Sequence, residues 1–134
     1  MDRKGAESRM EKLMLGIDVS KNTLSCTLLD PATRKPLWQA EVKNTKEGIR
    51  ELLGRTQSES PWVLEPTGRY SLCAAQMAKD AGRSVLLAPS RRAKSFLQSV
   101  QSRAKTDRID SSGLALFALS QPLPPSIGMP MTIR

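Results

Sequence analysis

A chain of 134 residues has room for one domain and one core. It carries 21 Lys and Arg against 13 Asp and Glu, a net charge of +8 that favours polyanionic partners. The absence of His excludes a His-based zinc site or a His-containing catalytic triad, and Cys26 and Cys73 lack CxxC spacing, so they read as buried free thiols in a reducing compartment.

Residues 1–12 mix Asp2, Glu7 and Glu11 with bases and lack the long apolar run of a signal peptide, so a disordered leader is expected. Leu13 to Val19 reads as a buried strand. Ser20-Lys21-Asn22 turns the chain into an alternating strand from Thr23 to Leu29, and a turn through Pro31 and Pro36 leads to a third from Leu37 to Val42. These three form an antiparallel meander. Asn44-Thr45 can cap a helix with apolar positions Ile49, Leu52 and Leu53 at i, i+3, i+4. Pro61 to Leu64 is a short fourth strand, left sharply through Glu65-Pro66-Thr67-Gly68. A helix is predicted from Tyr70 to Ala81, closed by Gly82, then a fifth strand from Ser84 to Ala88. Pro89 opens a helix that continues through Phe96 and Leu97.

The last helix is predicted to begin near Thr106. Asp107, Asp110, Leu114 and Phe117 then fall on one face at i, i+3, i+7 and i+10, with both acids in the first turn. The uncharged stretch from Ser111 to Ile133 contains Pro122, Pro124, Pro125 and Pro130, which is incompatible with a membrane span, and the chain reads as cytoplasmic. A domain over 13–120 and a Pro-rich tail over 121–134 are expected. Strands joined by right-handed helical crossovers run parallel, so the fold class is α/β: a mixed five-stranded sheet flanked by helices.

Four acids stand out against the basic background. Asp18 ends the apolar run Leu13-Met14-Leu15-Gly16-Ile17, Glu65 ends Trp62-Val63-Leu64, and Asp107 and Asp110 are three apart. Singly, an Asp at a strand end is a turn residue and an Asp in a helix first turn serves the dipole. Clustered, two carboxylates about 4 Å apart would repel by roughly 4 kcal/mol at an effective dielectric near 20. A cation would remove that penalty, and hard oxygen donors select Mg²⁺ or Mn²⁺. From Lys79 to Arg108 there are eight bases against two acids, so much of the positive charge lies beside the acidic pair. This stretch holds Arg91, Arg92, Lys94, Arg103, Lys105 and Arg108, suited either to phosphate backbone contact or to a solvated helix face.

Three ordered motifs carry a family resemblance: Gly16-Ile17-Asp18-Val19-Ser20-Lys21, Leu64-Glu65-Pro66-Thr67-Gly68-Arg69-Tyr70 and Lys105-Thr106-Asp107-Arg108-Ile109-Asp110. From about Leu13 to Pro125 the chain resembles the N-terminal domain of DEDD-type insertion-sequence transposases, the family that also holds the Piv site-specific invertases. Asn44-Thr45 with Gly48, and Ala88-Pro89, agree with it. The resemblance implies a RuvC-like, RNase H-type fold in which Asp18, Glu65, Asp107 and Asp110 bind Mg²⁺. It implies a recombinase that moves a DNA element, in several members guided by a structured RNA, and a homo-oligomer in the full-length family. Lys21 and Arg69, within the first two motifs, join the candidate nucleic-acid contacts. The resemblance further implies a C-terminal domain bearing a nucleophilic serine. The pattern fades after Pro125, so an N-terminal fragment without full activity is expected, and Ser111 stands where the family's usual small residue is Ala. Two alternatives stay open: a stand-alone RuvC-like nuclease or junction resolvase, and a non-catalytic nucleic-acid-binding fragment. An actin-like ATP-binding half is disfavoured because no glycine-rich phosphate loop follows Gly16-Ile17-Asp18.

Overall fold

A computed structural model describes residues 12–66, 68–100 and 110–120. The expected leader up to residue 11, the tail 121–134, and Arg103, Lys105, Asp107 and Arg108 lie outside the described residues. The elements are β1 (Met14–Val19), β2 (Thr23–Leu29), β3 (Pro36–Lys43), α1 (Lys46–Arg55), β4 (Trp62–Leu64), α2 (Arg69–Asp80), β5 (Val85–Leu87), α3 (Ser90–Val100) and α4 (Ser111–Ser120).

The five strands form one sheet in the order β3-β2-β1-β4-β5. β1 pairs antiparallel with β2, and β2 with β3, as a hairpin meander must. β4 pairs parallel with β1, and β5 parallel with β4, because a helix carries the chain back before each. The mixed sheet and its flanking helices agree with the expected fold class.

Strand alternation divides the sheet into two faces. On one, Leu15, Ile17, Trp62 and Leu64 pack with Ile49 and Leu52 of α1 and Ala74 and Ala78 of α2. On the other, Met14 and Val63 pack with Ala93 and Leu97 of α3 and Leu114, Ala115 and Phe117 of α4. Burying each Leu, Ile or Phe contributes about 1.5–3 kcal/mol, so both layers matter to stability. α1 begins as its sequence predicts, with the Thr45 hydroxyl accepting from the Gly48 amide at 3.1 Å. Its C-terminal end is held from a distance: Arg83 Nη2 donates to the carbonyls of Leu53 and Thr56 at 2.9 and 3.2 Å. α4 is apolar on nearly every side and accordingly lies buried against the sheet.

The last helix differs from expectation. It starts at Ser111, and Asp110 precedes it instead of occupying a core-facing first-turn position. Asp110 Oδ1 accepts from the Gly113 amide at 2.8 Å and its carbonyl accepts from the Leu114 amide at 3.0 Å. This is the geometry of an N-cap, which satisfies one of the amides that a helix start leaves without a partner. Asp110 is exposed as a result.

Candidate active site

The sheet has a topological switch point between β1 and β4. After β1 the chain moves outward to β2 and β3; on returning to β4 it moves the other way to β5. Connections that diverge from neighbouring parallel strands leave a crevice at their C-terminal ends, where ligands bind in open α/β sheets. The register at this point pairs Leu15 with Trp62, Gly16 with Val63 and Ile17 with Leu64. One step further along each strand stand Asp18 and Glu65. Both are half-buried. By strand parity both belong to the face covered by α3 and α4, since Ile17 and Leu64 face α1 and α2.

Glu65 is held by the next connection. Ser90, the first residue of α3, donates its hydroxyl to Glu65 Oε2, while the Ala88 amide donates to the Leu64 carbonyl at 2.9 Å. Gly68, with φ 63°, turns the chain out of this corner into α2. Only glycine takes that conformation without penalty.

The N-terminus of α4 reaches the same corner through a close approach of backbones. A Cβ at Gly16 would run into the Ser111 carbonyl oxygen and come within 2.9 Å of the Ala115 nitrogen. The helix therefore lies directly on β1, two residues before Asp18. A buried polar contact ties it down: the Ser111 and Thr27 hydroxyls are 2.6 Å apart, and Gln39 Nε2 donates to Thr27 Oγ1 at 3.0 Å. Two strands, β2 and β3, and the first residue of α4 are thereby linked, with Thr27 wholly buried. Asp110 stands immediately before Ser111, whose carbonyl lies against Gly16 of β1.

Of the four acids expected to converge, the structure brings Asp18 and Glu65 to adjacent strand ends, while Asp110 caps the helix whose first residue lies on Gly16 of β1. Asp107 lies outside the described residues. Among the described residues, no three His, Cys, Asp or Glu side chains stand close enough together to hold a metal ion. The donors at this corner are nonetheless all carboxylates. Cys26 sits in the core of the opposite face, where burial pushes its thiol up to about 12 despite the opposing influence of Arg55. Being on the other face, it is no part of this corner, whose hard oxygen donors suit a hard divalent ion.

Five of the candidate nucleic-acid contacts follow the C-terminal ends of β1, β4 and β5, because these strands run parallel and their connections leave from one side. Lys21 lies in the turn after β1, Arg69 opens α2, and Arg91, Arg92 and Lys94 lie in the first turns of α3; all are exposed. The Arg69 guanidinium stands over the Tyr70 ring at 5.6 Å, and that of Arg92 over Phe117 at 5.8 Å. Sequence reasoning did not single out Ser90 or Thr27. A glycine inside an apolar strand was a signal for the close approach at Gly16; nothing local marked the Ser111–Thr27 contact.

Residues 15–128 match the IS110-type DEDD family, whose members are described as transposases. The chain belongs to this transposase family. The fold of this transposase domain is also similar to that of solved RuvC structures. It covers 85% of this chain and 99% of Thermus thermophilus RuvC in complex with a Holliday junction substrate, at TM-score 0.59 and 15% identity. A second Thermus thermophilus RuvC structure is matched over 84% of this chain and 99% of that chain, at TM-score 0.53 and 17% identity. At such identities the likeness concerns the RuvC-like fold of the transposase domain. No curated protein matches the chain significantly. No helix among the described residues is long and apolar enough to cross a membrane.

Proposed function

We propose that this domain binds DNA and carries the metal-dependent strand chemistry of transposition, with Asp18, Glu65, Asp107 and Asp110 holding Mg²⁺ or Mn²⁺. What supports this reading is the register that ends β1 and β4 beside each other at Asp18 and Glu65, at a topological switch point, in a chain of the transposase family whose Asp110-capped helix lies on β1. Bound there, the ion would supply Lewis-acid activation at a phosphate. The chain's own residues do the rest. Ser90 orients Glu65 by its hydroxyl. The Ser111–Thr27–Gln39 contacts hold the α4 start in register over β1. Lys21, Arg69, Arg91, Arg92 and Lys94 line the edge at which a DNA backbone would arrive, and neutralise its phosphates.

Titration calorimetry with Mg²⁺ and Mn²⁺ tests the site. Wild type is expected to bind, and an Asp18→Ala/Asp107→Ala double variant to bind at least tenfold more weakly, since loss of even an outer-shell partner costs about 10–100-fold in metal affinity. Equal binding by the two proteins refutes the assignment.

A further inference from the structure

A second recess lies beside the acid site. It is a groove of about 470 Å³ lined by Arg91, Arg92, Ser95, Phe96 and Ser99 of α3 and by Phe117 of α4. It starts one residue beyond Ser90, whose hydroxyl holds Glu65. Its lining follows from helix periodicity. Ala93 and Leu97 turn one side of α3 into the core, which leaves Arg91, Ser95 and Ser99 in an i, i+4, i+8 row and Phe96 beside them. Phe96 is half-buried and packs its ring against Phe117, centroids 5.5 Å apart at 58°. Arg92 covers Phe117. Among the described residues neither Arg91 nor Arg92 pairs with a carboxylate. An aromatic ring beside two guanidiniums that have no carboxylate partner among the described residues is matched to a ring joined to a phosphate.

We propose that this groove takes one unpaired nucleotide of the DNA strand engaged at the acid site, with its base against Phe96 and its phosphate on Arg91 and Arg92. This rests on the transposase reading above. A paired base keeps both faces inside its own stack and cannot reach a ring set down in a groove. An unpaired base presents a free π-face, and stacking on an aromatic side chain tolerates any base because each has such a face. The groove volume suits an occupant of that size. The site would therefore hold strand separation open next to the acids, and it would favour single-stranded or locally melted DNA over intact duplex.

The test is fluorescence anisotropy with a labelled single-stranded DNA, its duplex, and a single-stranded RNA of the same sequence. Phe96→Leu keeps the apolar contact with Phe117 and removes the π-face. It is expected to weaken single-stranded DNA binding roughly tenfold and leave duplex binding within about twofold. Equal loss for both DNAs, or loss for neither, overturns the proposal. Tighter RNA binding with the same Phe96 dependence overturns its assignment to DNA. If wild type binds no DNA of either form, the transposase reading falls as well; if it binds both and Phe96→Leu changes neither, only the nucleotide groove falls. A readout independent of the variant's folding is photo-crosslinking of a bromouracil-containing single strand to wild type. The peptide containing Phe96 is the expected adduct, and adducts exclusively elsewhere contradict the proposal.

Discussion

The two faces of the sheet are built from the same strands but do different things. Leu15 and Ile17 of β1, with Trp62 and Leu64 of β4, point into a layer closed by α1 and α2 and filled with aliphatic side chains and Trp62. The alternate residues of those strands, Gly16 and Asp18, with Val63 and Glu65 following the same parity, belong to the face that carries the acids, the Thr27–Ser111 hydroxyl contact and the arginines of α3. One layer is a scaffold whose closure needs only volume and apolarity. The other gives up side-chain volume at Gly16 so that a helix start can be seated beside a strand end.

That contrast can be broken most sharply by a pair of neighbouring substitutions. Asp18→Asn is expected to abolish metal-dependent DNA cleavage while leaving the melting temperature nearly unchanged. Ile17→Ala, one residue away on the other face and wholly buried, is expected to cost about 2–5 kcal/mol in denaturant unfolding. A stability loss in Asp18→Asn equal to that of Ile17→Ala would show that the two faces are not functionally distinct.

Gly16→Ala comes next. Its Cβ would meet the Ser111 carbonyl, which is backbone and cannot swing aside. We expect a loss of about 1–3 kcal/mol in urea unfolding, with weakened metal binding because the Asp110 cap is displaced with α4. Unchanged stability would mean that α4 does not sit on β1 as described. A smaller effect is expected of Ser111→Ala, about 1 kcal/mol, because Thr27 keeps its bond from Gln39. A cost of several kcal/mol there would reveal the contact as a structural keystone.

The scaffold face offers an effect of another kind, confined to alkaline pH. Below pH 9.0 both folded and unfolded chains hold the Cys26 proton. Above it the unfolded chain releases the proton first, because burial raises the folded thiol to about 12. Stability should therefore decline as pH rises from 9.0 toward 12, by about 1.4 kcal/mol for each unit of that interval, and Cys26→Ser or Cys26→Ala should flatten the decline. A pH profile identical in wild type and Cys26→Ala would contradict that burial.

Much of this was legible along the chain. Apolar runs ended by an acid predicted two strands with Asp18 near the end of one and Glu65 just past the end of the other, and the hairpin-then-crossover order predicted which strands run parallel. Thr45 predicted its cap because that signal is local. The start of α4 was not legible. The i, i+3, i+7, i+10 spacing of Asp107, Asp110, Leu114 and Phe117 fits a continuous helix, but Asp110 serves its own helix better as a cap, accepting from Gly113. Periodicity describes which face a residue would occupy inside a helix; it does not say where the helix begins.

The sequence by itself therefore determined the chemistry available at the sheet edge: carboxylates at strand ends, bases in the connections and no imidazole. Tertiary structure decided which of these groups meet. The Ser90–Glu65 bond spans 25 positions and the Ser111–Thr27 contact 84. Contacts at that separation depend on strand order and on how closely a helix can approach a strand. No local pattern carries that information, and here it comes down to the absence of a side chain at Gly16.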